Sequence, residues 1–238
     1  MMATYRRILL KLSGESLAGG NKLGIEAGSL EAYAAEIKSI VDKGIETAVV
    51  LGGGNIFRGV QGSRTGIDRV QGDYMGMLAT VINSMALQSA LENIGVRATV
   101  LSGLPIEPLC GKMCRTTAMA LLKQKHVVII AGGTGNPFFT TDSAAALRAA
   151  EIRADVILKG TRVDGVYSSD PEKDPDAVKF DRLSFDEAYG KNLAVMDLTA
   201  FTICRENGIP VIVFDVNEKG VLYDMLVNGN PHGTLVTV

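Results

Sequence analysis

The chain has 238 residues, 47% hydrophobic and 21% charged, a balance that excludes a disordered chain and allows one large domain or two lobes. Its formal charge of −2, without runs of Lys or Arg, argues against a nucleic-acid partner, and no apolar stretch approaches membrane-spanning length. Cys110, Cys114 and Cys204 are too few and too unevenly placed for a disulfide framework and fit a reducing cytoplasm. The first apolar segment is broken at once by Lys11 and Ser13-Gly14-Glu15, unlike a signal peptide. Cys110 and Cys114 lack nearby partners for zinc, and His126 and His232 stand isolated, so neither is assigned to catalysis.

Tyr5 to Leu12 reads as a strand, and Ser29 as the N-cap of a helix to Lys43 with Leu30, Ala34, Ile37 and Val41 on one face, stopped by Gly44. Ile45 to Leu51 is a second buried strand, followed by Gly52-Gly53-Gly54 and a polar loop through Arg58 to Thr65. A long helical pattern runs from about Asp68 to Asn93; the spacing of its apolar Met75, Leu78, Ile82, Met85 and Leu91 favours core over an assembly face. Arg97 to Leu101, His126 to Ala131, Asp155 to Lys159 and Pro210 to Phe214 are further strands, separated mostly by helical segments. Thr234 to Val238 is a candidate final edge strand, and Asp170 to Asp176 a Pro- and charge-rich loop. This alternation predicts an α/β fold, a three-layer αβα sandwich around a mainly parallel sheet.

Three Gly-containing turns follow apparent strands: Lys11 to Ser16, Gly52 to Gly59, and Gly132 to Asp142. Open α/β sheets bind ligands at the carboxyl ends of their strands, where free backbone N–H groups and helix amino termini favour anions. Lys11, Arg58 and Lys159 add full charges at three strand ends, and Asp142 a carboxylate where a helix begins. A plain strand-to-helix turn with Asp142 as N-cap is the simplest reading of the last turn; adjacent Phe138 and Phe139 in a polar, Gly-rich loop argue for more. No G-x-x-x-x-G-K-[ST] occurs, and Gly52-Gly53-Gly54 lacks the third Gly of a dinucleotide loop. Phosphoryl transfer needs chiefly positioning and positive charge, which this inventory supplies; no Ser-His-Asp set or paired-carboxylate hydrolase signature is evident.

Five segments, in order along nearly the whole chain, resemble the motif series of the bacterial uridylate kinases within the amino acid kinase family: Lys11 to Glu15, Gly52 to Gly59, Gly72 to Thr80, Thr134 to Asp142, and Val163 to Pro171. The third and fourth point to the uridylate kinases; the first two resemble the wider family. The resemblance implies an amino acid kinase-like fold with an approximate acceptor lobe over 1–154 and an ATP lobe over 155–238. It implies transfer of phosphoryl from ATP to UMP, with Lys11, Arg58, Asp142 and Lys159 at the chemistry and Mg²⁺ delivered with ATP rather than held by the protein. ATP contacts are implied at Lys11, Leu12, Ser13, Gly14, Gly54, Arg58, Thr161, Tyr167 and Asp170. UMP contacts are implied at Gly53, Asp73, Thr134, Gly135, Asn136, Pro137, Phe138, Phe139, Thr140 and Thr141. It also implies a cytoplasmic homohexamer activated by GTP, through Gly19, Gly20, Asn21, Lys22, Leu23 and Gly24, and inhibited by UTP.

The residues alone leave other readings open. Asp73 can be a solvated carboxylate on a long helix, and Gly19 to Gly24 a flexible turn. A relative of the same fold that phosphorylates an amino acid carboxylate, a carbamate or another phosphate, and a non-catalytic nucleotide sensor or oxyanion storage protein, are the rival functions; retention of Lys11, Arg58, Asp142 and Lys159 together argues against lost catalysis.

Overall fold

Alternating apolar residues on a strand face opposite sides of a sheet, so a strand buried on both sides must be apolar throughout. The first strand shows this: Ile8, Leu10 and Leu12 enter one core, and Leu9 enters the other. The computed structural model describes residues 5–21, 23–57, 66–193 and 195–238. Its strands are β1 (Arg7–Leu12), β2 (Glu46–Leu51), β3 (Ala98–Ser102), β4 (Gly111–Lys112), β5 (Val127–Ala131), β6 (Val156–Thr161), β7 (Val166–Tyr167), β8 (Lys179–Phe180), β9 (Arg182–Ser184), β10 (Val211–Asp215) and β11 (Thr234–Thr237). Among the described residues, β4-β3-β5-β2-β1-β6-β10-β11-β9 form one sheet, parallel except for the β10/β11 pair, and β7 and β8 form a separate hairpin.

Among the described residues, the α-helices longer than one turn are α1 (Ala27–Val41), α2 (Arg69–Asn93), α3 (Arg115–Lys123), α4 (Thr141–Ile152), α5 (Phe185–Gly190) and α6 (Leu198–Glu206). Ile37 and Ile40 of α1 and Leu87 and Leu91 of α2 fill the core on one face; Leu122 of α3, Ala145 and Ala149 of α4 and Phe201 of α6 fill the other. The three expected layers are therefore present. The switch point lies between β1 and β6: from β1 the chain crosses toward β2 on one side of the sheet, and from β6 it crosses toward β10 on the other. Loops diverge there and leave a crevice at the strand ends.

Several local expectations are corrected. The N-cap of α1 is Glu26, not Ser29; its carboxylate accepts from the Gly28 and Ser29 amides, so the helix starts earlier than the Ser signal. β11 is not the sheet edge, because β9 pairs outside it; three residues with one buried side chain carry too little pattern to read from sequence. Leu78, Ile82 and Met85 are not core: they are 47%, 51% and 40% exposed, while Leu91 is buried. The helix is apolar on more than one face, and its spacing alone does not say which face meets the sheet. His232 is not isolated either, since its Nε2 lies 2.6 Å from Asp224 Oδ2.

Candidate active site

Lys11 near the end of β1 and Lys159 on β6 are directly paired positions of neighbouring parallel strands, so their side chains leave the same face of the sheet. Asp142, in the first turn of α4, lies between them. Lys159 Nζ donates to Asp142 Oδ2 at 2.7 Å and to the Val195 carbonyl at 2.5 Å. Lys11 Nζ sits 2.9 Å from Asp142 Oδ1 outside hydrogen-bond geometry, a charge–charge contact. Burial pushes the Asp142 carboxyl up, but the two ammonium groups outweigh it and hold the pKa below the ordinary value. Burial pulls Lys159 below the ordinary lysine value, with Asp142 opposing and Lys11 adding to the fall. Two ammonium groups at the amino end of a helix favour phosphate, and Asp142 and the nearby Asp197 offset part of their charge.

The plain-turn reading with Asp142 as N-cap fails. Thr140 is the N-cap, its hydroxyl accepting from the Asp142 and Ser143 amides, which frees the Asp142 carboxylate to face the lysines. Asp197, absent from the sequence-derived set, supports this arrangement: it accepts from the Thr140 and Ser143 hydroxyls and from Ala200 N at the start of α6. An Asp before a helical run signals a cap; its reach across 57 residues to Thr140 has no local signal.

Beside the lysines, a cavity of about 250 Å³ is walled by Gly53, Asp73, Thr134, Asn136, Phe139, Thr140 and Thr141. Gly54, implied on the ATP side, lines this same cavity. Gly53 has to be glycine, because a Cβ there would come within 2.8 Å of Ala79 Cβ and of the Gly76 carbonyl. Asp73 accepts from Phe138 N at 2.7 Å and from Arg69 Nε at 2.9 Å, which ties α2 to the Thr134 loop. Phe138 holds a left-handed φ of 72° to make that bond, and the Arg69 guanidinium lies 5.7 Å over its ring. Gly135, Pro137 and Phe138 lie in the loop but do not wall the cavity as it stands.

A second cavity, about 520 Å³, is walled by Thr161, Val163, Tyr167, Asp170 and Leu193 among others. The Tyr167 hydroxyl donates to Asp164 at 2.6 Å, and Lys173 pairs with Asp170 at 2.8 Å. Between the two cavities, Lys11, Ser13 and Thr161 share a smaller cleft of about 220 Å³. Leu12 is buried beneath it, and Gly14 packs so closely on the next strand end that a Cβ would come within 2.5 Å of the Gly52 carbonyl. Gly19, Gly20, Asn21, Leu23 and Gly24 form a largely exposed turn whose end is tied to the buried Asn55, which follows Gly54 of the first cavity's wall: Gly24 N donates to the Asn55 carbonyl and Asn55 Nδ2 to the Gly24 carbonyl, both at 2.8 Å. Arg58 and Lys22 lie outside the described residues.

The model of the amino acid kinase family matches residues 6–215. The chain belongs to the amino acid kinase family. Within it, the chain is 57% identical over 235 residues to a uridylate kinase of Parabacteroides distasonis, covering 99% of each chain. It is 53% identical to that of Porphyromonas gingivalis, covering 99% of this chain and 98% of the other. A UMP kinase structure from Bacillus anthracis superposes with a TM-score of 0.94 at 38% identity, covering 98% of this chain and 96% of that one. One from Archaeoglobus fulgidus gives 0.74 at 31%, with coverage of 96% and 99%.

Proposed function

We propose that this chain transfers the γ-phosphoryl group of ATP to the phosphate of UMP, giving UDP for pyrimidine nucleotide synthesis. One observation carries the reading: a cavity walled by Asp73 and the Thr134 loop opens beside the Lys11, Asp142 and Lys159 cluster. UMP occupies that cavity, with Asp73 accepting from ribose hydroxyls and the loop from Thr134 to Thr141 meeting base and ribose. ATP occupies the cleft at Lys11 to Gly14 and the cavity beyond it, with Tyr167 on adenine and Asp170 at its ribose. Arg58 completes the cations around the phosphates.

Phosphoryl transfer asks the protein for alignment and charge rather than for a nucleophile. Lys11 and Lys159 neutralise the negative charge on the migrating group, and transfer runs in line from one phosphate to the other. Asp142 spaces the lysines, and its own charge is spent on them. Both its oxygens face ammonium groups, which fits Mg²⁺ entering as part of the MgATP substrate, bound to phosphate oxygens and neutralising their charge. A division into an acceptor lobe over 1–154 and a donor lobe over 155–238 is supported by the two cavities: the walls of the first come from residues 50–141, those of the second from 161–193. A cytoplasmic setting suits the three free cysteines.

A coupled assay offering UMP, CMP, aspartate and glutamate tests the acceptor. UMP is the expected best substrate, and activity on an amino acid without activity on UMP overturns the reading. Asp73→Asn is expected to raise the UMP KM more than the ATP KM, because it weakens an acceptor-side interaction only; equal changes contradict that placement.

The assembly we propose is a homohexamer, with GTP as activator at Gly19 to Gly24 and UTP as inhibitor. Leu78, Ile82 and Met85 make an exposed apolar stripe on α2, too large a feature for a helix meant to face water. Ile82→Glu is expected to lower the assembly mass in solution, measured by light scattering with and without GTP and UTP; an unchanged mass removes this stripe from the interface. The tie between Gly24 and Asn55 gives the GTP region a physical route to the acceptor cavity.

A further inference from the structure

Arg148 of α4 has no place in the phosphoryl-transfer set, yet its side chain is only 8% exposed. A guanidinium is costly to bury unless its donors are used. Its Nη1 pairs with Glu151 Oε2 at 2.7 Å, and its Nη2 donates to the carbonyls of Gly133 at 3.2 Å and Thr134 at 3.3 Å. Its Nε is buried without a hydrogen-bond partner among the described residues, so burial is not explained by complete internal pairing. An ion pair with Glu151 alone would serve as well on the helix surface. The contact that requires burial is the one to the loop.

That loop needs an external hold. Gly132, Gly133 and Gly135 have φ of 68°, 57° and 84°, and glycines of this kind leave peptide orientation weakly determined by the chain itself. In a trans peptide the N–H points opposite to the C=O. Fixing the Gly133 carbonyl on Arg148 therefore turns the Thr134 N–H away from the guanidinium, in a segment whose Gly133 and Thr134 both wall the acceptor cavity. The next amide, Gly135 N–H, is already used by the Gly132 carbonyl at 3.0 Å.

We infer that Arg148 is a positioning residue for acceptor recognition: it clamps the Gly133 and Thr134 carbonyls so that the Thr134 N–H is presented to a carbonyl oxygen of the bound pyrimidine. This rests on the UMP reading of the cavity. It makes part of the acceptor selectivity a property of α4, outside the cavity wall.

Steady-state kinetics of Arg148→Lys and Glu151→Gln beside the unaltered chain test it. Lysine keeps the charge against Glu151 but cannot span that carboxylate and two carbonyls. Arg148→Lys is expected to raise the UMP KM about tenfold, as the loss of charge-assisted hydrogen bonds does. Its ATP KM stays within about twofold, since the donor site keeps its contacts. Glu151→Gln leaves both KM values near those of the unaltered chain. An unchanged UMP KM in Arg148→Lys, parallel rises for UMP and ATP, or the same UMP defect in Glu151→Gln overturns the role. Hydrogen exchange on the unaltered chain needs no variant to fold: added UMP slows exchange of the Thr134 amide, and no slowing overturns the proposal. Failure of the unaltered chain to phosphorylate UMP defeats the functional reading itself, whereas normal UMP turnover with any of the overturning results defeats Arg148 alone.

Discussion

Lys11→Ala lowers turnover on the order of 10²-fold or more, the usual cost of removing one preorganised charge from a transition state. On the proposed reading, the lysine is in place before any ligand arrives. Its ammonium lies 2.9 Å from Asp142 Oδ1, on a strand position paired with Lys159, and lines the cleft between the two cavities. Because Asp142 also holds Lys159, the carboxylate stays in place when Lys11 is lost, and the folded structure is expected to survive. The measurement is kcat under saturating UMP and ATP, with thermal unfolding on the same sample. Near-full turnover would take Lys11 out of the transfer step.

Asp142→Ala has the larger effect on stability. It leaves two poorly exposed ammonium groups side by side with no anion between them, and breaking a buried ion pair in this way costs about 3–5 kcal/mol. For a chain of this size that lowers Tm by roughly 10 °C. Turnover falls as well, since the lysines repel each other and leave their aligned positions. The pH dependence has a definite sign. The folded-state pKa of Asp142 is depressed, so its stabilisation is fully present above the ordinary carboxylate value and is lost as pH falls through the lower, folded-state value. Asp142→Ala lacks that part of the acid limb. Thermal unfolding of both proteins from neutral to acid pH checks it, and parallel curves would contradict the assignment. On the alkaline side, the lowered pKa of Lys159 makes its charge disappear earlier than that of an ordinary lysine.

Much of the scaffold was legible because its signals are local. Val127 to Ala131 is apolar throughout and becomes a strand buried on both faces. Asp68 before the long helical run becomes its N-cap, with the side chain accepting from Val70 and Gln71. The strand-end turns with Lys11, Lys159 and Asp142 converge because parallel strands bring successive carboxyl ends to one edge of the sheet. Where neighbouring signals competed, the local reading failed: Ser29 yielded to Glu26, and Asp142 to Thr140, because each cap was decided by which side chain the completed helix could reach.

Periodicity and turn chemistry act over a few neighbours, so the alternation of strands and helices, the layers that follow from it, and the loops that carry the charged and glycine residues are readable from residue order. Packing of the whole chain places Asp142 between two lysines, sets Asp197 on Thr140 and Arg148 on the Gly133 and Thr134 carbonyls, and turns Leu78, Ile82 and Met85 outward. These are contacts between distant segments or choices of face on an apolar helix. They depend on how complete elements pack, which no short window of residues encodes.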